Sequence, residues 1–96
     1  MDFEWHLRKA TANERKHGVS FKEATEVFGD YHSSTAEDPD HYFEEERFVI
    51  FGKSFQKRYL VVSFTERDDR IRIISARPMT RRERRAYEHK KGRTLS

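Results

Sequence analysis

The 96-residue chain carries 20 Lys and Arg against 17 Asp and Glu, a formal net charge of +3, with 34% hydrophobic residues and no cysteine. A chain of that length holds one domain with one modest core. The missing cysteines exclude a disulfide scaffold and thiolate metal sites, and no apolar run approaches the length of a membrane span, which predicts a soluble chain with no membrane partner.

The N-terminus, MDFEWHLRKATANERKHG, has no apolar h-region, so no secretory signal is expected, and the missing cysteines fit the expected cytoplasmic location. Phe3 to Trp5 is either a short strand or an apolar anchor. From His6 to Lys16 the pattern is helical: Leu7, Ala10 and Asn13 share a face, and Lys9, Arg15 and Lys16 occupy the rest. Gly18 is a natural stop, because glycine takes a left-handed cap without steric cost. Ser20 and Glu23 form a capping-box pattern opening a second helix, on which Phe21, Ala24, Val27 and Phe28 make an apolar stripe. Gly29-Asp30 ends it, and Tyr31 to Thr35 reads as a short strand.

AEDPDHYFEEE then reads as a charged loop broken by Pro39. Its His41, Glu44, Glu45 and Glu46 lack a spacing that fixes ligand geometry, so no metal site and no cofactor are expected. Three strand patterns follow, over 47–54, 58–66 and 70–76, and their short connections make them antiparallel neighbours. Alternation puts Leu60, Val62 and Phe64 on one face and Tyr59, Val61, Ser63 and Thr65 on the other, more polar one. Thr80 and Glu83 form a second capping-box pattern, opening a final helix to about Lys91 that has no apolar stripe beyond Met79, Ala86 and Tyr87. The expected fold is α+β: two N-terminal helices on a small antiparallel sheet of three to four strands, closed by a charged C-terminal helix, all in one domain.

Charge is unevenly spread. Residues 21–46 hold one Lys or Arg against nine Asp or Glu, a net of −8, and residues 47–96 hold fifteen against five, a net of +10. The basic half points to a polyanion partner, nucleic acid being the commonest. The plainer alternative is that the acidic segment folds back on it and neutralises it.

FEW, KHGVSF followed by EA, and TER, RIISAR and RRERRAYE together resemble the BrnT family of toxins of bacterial type II toxin–antitoxin systems, over about residues 2 to 88. The resemblance implies a fold related to the RelE-type ribonuclease toxins and metal-independent RNA cleavage that stops translation. It also implies a BrnA-type antitoxin with a ribbon-helix-helix domain, through which alone DNA is engaged. The family usually follows this tryptophan with Asp-Pro, where His6 and Leu7 stand here; the change weakens the first helix's N-cap.

RNA cleavage without a metal needs a base for the 2′-hydroxyl, an acid for the leaving oxygen and cationic donors for the phosphorane. His17, Glu66, Arg67 and Arg77 are the candidate catalytic residues. Lys9, Lys16, Arg72, Arg81, Arg82, Arg85 and Tyr87 are the candidate RNA-binding residues, arginine being suited to phosphate by its fixed two-pronged donor. Each has a structural alternative. His17 also suits a helix C-terminus, Glu66 and Arg67 suit a cross-strand ion pair, the helix arginines suit a solvated face, and Tyr87 suits packing. The competing function is a non-catalytic basic module, an inactive toxin homologue that holds an antitoxin and DNA.

Overall fold

The computed structural model describes residues 1–38 and 46–95, so the Pro39 break and most of the acidic HYFEEE run lie outside the described residues. In chain order come β1 (Asp2–Glu4), α1 (Leu7–His17), α2 (Phe21–Glu26) running into a 3-10 turn (Val27–Gly29), β2 (Ser34–Glu37), β3 (Phe48–Lys53), β4 (Tyr59–Arg67), β5 (Arg70–Pro78) and α3 (Arg81–Leu95). The strands form one sheet in the order β1-β5-β4-β3-β2.

The α+β class is as expected, but the sheet has five strands and is mixed. β1 pairs with β5 in parallel, Phe3 opposite Ile71, while the other pairings are antiparallel. A three-residue strand shows no periodicity, and its partner lies at the other end of the chain. The short strand expected at Tyr31 to Thr35 sits later, at Ser34–Glu37. Asp68 and Asp69 both take left-handed φ, at 51° and 64°, which makes the two-residue turn between β4 and β5.

The inner face of the sheet carries the core. Leu60, Val62 and Phe64 are buried there, as alternation requires, against Val19, Phe21, Ala24 and Val27 from the α1–α2 segment. Edge-on ring contacts run from Phe3 to Phe28 at 5.2 Å and from Phe28 to Phe64 at 5.0 Å. Gly52 lets the 3-10 turn approach β3, since a Cβ there would meet the Val27 Cβ at 3.0 Å and its carbonyl oxygen at 3.2 Å.

Alternation fails once. Phe64 pairs with Ile73 and Ser63 with Ser75, so Ile74 is an extra residue in β5. Ile73, not Ile74, therefore turns into the core. The bulge also sets the arginines: Arg72 and Arg77, five positions apart, would fall on opposite faces of a regular strand, and both come to the outer face opposite Thr65 and Val61.

Asn13 holds α1 to the sheet. Because β1 stops at Glu4, it leaves β5 unpaired beyond Arg72 on that side. The Asn13 amide fills the gap: its Nδ2 donates to the carbonyls of Ala76 at 2.8 Å and Val19 at 3.0 Å, and its Oδ1 accepts from the Ala76 N–H at 3.0 Å. Leu7, on the helix face shared with Ala10 and Asn13, is 76% exposed. Asn13→Ala is expected to destabilise the domain by about 3 kcal/mol, because buried backbone groups lose their partners. Equilibrium urea unfolding measures it, and a loss under about 1 kcal/mol would mean that water or another group replaces the amide.

Candidate nucleic-acid interface

α3 lies against the outer face at the end of the sheet where Arg77 sits. It opens on the complete Thr80–Glu83 capping box: Glu83 N–H donates to Thr80 Oγ1 at 3.1 Å, and Thr80 N–H donates to Glu83 Oε1 at 2.8 Å. The same carboxylate accepts both prongs of Arg77, at 2.8 and 2.9 Å. The Arg77 guanidinium, with the capping bonds, holds the Glu83 carboxyl down at about 2. One side chain thus caps the helix and aims the candidate phosphate ligand.

Further along α3, Tyr87 is buried and its hydroxyl donates to Asp30 Oδ2 at 2.7 Å. Burial alone would raise the Asp30 carboxyl, but donation from Tyr87 and from the backbone N–H groups of His32 and Lys53 outweighs it and holds the group below its ordinary value. Burial and that carboxylate push the Tyr87 phenol up. Tyr59 packs edge-on against Tyr87 at 5.6 Å, donates to Glu88, and lies under the Arg84 guanidinium, 4.1 Å from its ring centroid. Tyr87 is thus packed, its ring edge-on to Tyr59 and its hydroxyl engaged by Asp30, as the packing alternative has it.

The other capping pattern is half used. Ser20 Oγ accepts from the Glu23 N–H at 3.0 Å, but the Glu23 carboxylate turns into the core, where Arg58 grips it at 2.6 and 3.0 Å and Ser54 donates at 2.8 Å. Arg58 holds Glu23 below the usual carboxylate value and also donates to the Gly18 carbonyl at 2.8 Å. His17, the last residue of α1 and half-buried, is thereby fixed at the Arg77 end of the sheet, since Arg58 directly precedes β4 and Leu60 pairs with Pro78.

Glu66 and Arg67 lie at the opposite end. Arg77 pairs with Val61, six residues before Arg67, so the two arginines stand roughly 20 Å apart along the strand. Both face outward, yet one phosphodiester cannot touch both, and the four catalytic candidates are not one constellation. The turn also sets three carboxylates, Glu66, Asp68 and Asp69, beside Arg67 and Arg70, which disfavours a phosphate there. Arg72 is engaged by Glu4 at 2.8 Å, with Arg70 3.6 Å from the same carboxylate.

Arg81, Arg82 and Arg85 are exposed on α3 and make no hydrogen bond or ion pair among the described residues. Lys9 and Lys16 are exposed on α1. No group of three or more His, Cys, Asp or Glu is placed to hold a metal among the described residues. Asp30, Arg58, Tyr59 and Arg84 were not singled out from sequence. Only Asp30 carried a local signal, the Asx turn in which its Oδ1 accepts from the His32 N–H at 3.0 Å.

The fold is similar to that of the Brucella abortus ribonuclease toxin BrnT, with a TM-score of 0.63 and 20% identity over 84% of this chain and 99% of that one. The model of the ribonuclease toxin BrnT of type II toxin–antitoxin systems matches residues 5–83, and the chain belongs to that family. No curated protein gives a match.

The Arg77–Glu83 pair has a pH signature. Glu83 titrates near 2 in the folded chain against an ordinary 4.5, so its contribution to stability is whole above about pH 4.5 and is lost as pH falls towards 2. Glu83→Gln is expected to flatten that acid limb in a melting-temperature profile; an unchanged slope there would show that the pair contributes nothing to the fold.

Proposed function

We propose that the protein is a metal-independent endoribonuclease that inhibits translation by cutting RNA, with the chemistry at the Arg77 end of the sheet. A BrnA-type ribbon-helix-helix antitoxin neutralises it, and DNA is contacted only within that complex. The observation that carries the reading, beside family membership, is the concentration of guanidinium groups there: Arg77 held in place by Glu83, and Arg81, Arg82 and Arg85 exposed on the adjoining helix without an ion pair among the described residues. Fixed cations near a strained phosphate supply the charge stabilisation that a metal supplies elsewhere. His17, an imidazole at the same end but in the α1–α2 layer on the inner side of the sheet, takes the general-base role, imidazole being suited to proton transfer near neutrality. Glu66 and Arg67 are too distant for the same phosphate.

One observation favours the non-catalytic alternative: Arg77 already has a carboxylate partner, as expected of a structural arginine. Incubation of purified protein with single-stranded RNA in excess EDTA decides between them. Cleavage that persists in chelator, is lost in His17→Asn at unchanged melting temperature, and is suppressed by a BrnA-type ribbon-helix-helix antitoxin is the expected result. Absence of cleavage under all conditions, with RNA still bound, would leave the binding module. Arg81→Gln with Arg85→Gln is expected to lower the slope of log affinity against log salt by about 1.4, roughly 0.7 per phosphate contact on single strands. An unchanged slope would place the RNA elsewhere.

A further inference from the structure

We propose that the cleft between α3 and the outer face of β2 and β3 receives one unstacked base of single-stranded RNA, with the neighbouring phosphates on Arg82 and Lys90. The inference rests on the ribonuclease reading and deepens it by assigning a base-binding subsite. The cleft measures about 340 Å³ and is bounded by Ser34, Phe51, Arg82, Glu83, Ala86, Tyr87 and Lys90. That volume is near the lower end for small-molecule sites, roughly 300 Å³, and suits a single planar ring system better than a packed side-chain cluster.

The walls have the chemistry of a base slot. Phe51 is half-buried on β3, opposite Ser34 in register, and has no aromatic partner among the described residues, so its ring is available for stacking. The facing wall is α3, where Ala86 is small and Tyr87 is pinned by Asp30 and Tyr59, so the wall is preformed. Polar groups sit at the mouth: Lys90 Nζ donates to Ser34 Oγ at 2.8 Å across the opening. Arg82 and Lys90 stand eight residues apart on the helix, about 12 Å along its axis, and flank the slot at both ends. Glu83, the acid among the described lining residues, has both oxygens engaged by Arg77 and Thr80, so its carboxylate is already partnered at the rim. An apolar slot between two cations, with a hydroxyl at its mouth, is complementary to a base within a phosphodiester strand.

The test is a binding series with short single-stranded RNAs in which one nucleotide at a time is made abasic, read by fluorescence anisotropy. For the wild-type protein one abasic position is expected to weaken binding about tenfold, the loss of a base–aromatic stack. Ala86→Phe fills the slot from an exposed helix position, and is expected to bind every member of the series equally while keeping its melting temperature. Arg82→Gln and Lys90→Gln are each expected to lower the salt slope by about 0.7. A flat abasic series from a wild-type protein that still binds and cleaves RNA overturns the slot and leaves the ribonuclease reading standing. Failure of the wild type to bind or cleave any of these RNAs overturns both. An Ala86→Phe variant that keeps the abasic sensitivity but no longer binds the antitoxin assigns the cleft to a protein partner and overturns the proposal.

Discussion

The Asn13 amide completes a sheet that the chain leaves unfinished. β1 supplies only three residues to the edge of β5, and beyond them the Ala76 N–H and C=O face inward with no strand to meet. Buried backbone groups without partners are costly, and a side-chain amide reproduces the donor and acceptor of a peptide. By bonding Ala76 and Val19 together, Asn13 fixes α1 on the sheet and the turn that leads into α2. The placement of His17, one helical turn beyond Asn13, follows from that clamp, and so does the route of the chain to the Glu23–Arg58 pair.

Two glutamates in similar sequence contexts show how tertiary surroundings divide their work. Glu83 bends back to its cap and holds Arg77 on the same two oxygens, so helix start and candidate ligand form one rigid unit. Glu23 abandons its cap for Arg58 and Ser54, because it faces the interior while Glu83 lies at the surface. A buried carboxylate needs a charged partner more than a helix needs a second capping bond. The result is a core ion pair at one place and an interface ion pair at the other.

The outer face is less open than a polar strand pattern implies. Val61 and Thr65 are buried, and α3 rests there through Tyr87 and Tyr59 rather than an apolar stripe. Besides the Arg77–Glu83 pair and the Lys90–Ser34 hydrogen bond, two hydroxyl–carboxylate contacts and one cation–ring contact hold the helix, and Arg81, Arg82 and Arg85 stay exposed. Docking and presentation of charge are thus separated on one helix: Tyr87 and Arg84 help attach it, while Arg81 and Arg85 are exposed and make no hydrogen bond or ion pair among the described residues.

The sequence by itself determined what is local. The period-2 runs made β3, β4 and β5 antiparallel neighbours with Leu60, Val62 and Phe64 inward. The Phe21–Phe28 stripe and the stops at Gly18 and Gly29 defined the second helical segment, the Thr80–Glu83 spacing started α3, and KHGVSF with IISAR pointed to the family. Each signal is carried by residues a few positions apart, within reach of one turn or one strand. Only the tertiary structure decided that β1 joins β5 in parallel, that the bulge at Ile74 brings Arg72 and Arg77 to one face, and that Glu66 and Arg67 stand at the far end from His17 and Arg77. It likewise paired Glu23 with Arg58, Tyr87 with Asp30 and Asn13 with Ala76, across separations of 35, 57 and 63 residues. Periodicity fixes which face a side chain takes, but a partner so far along the chain is chosen by packing and by the cost of leaving a buried polar group unpaired.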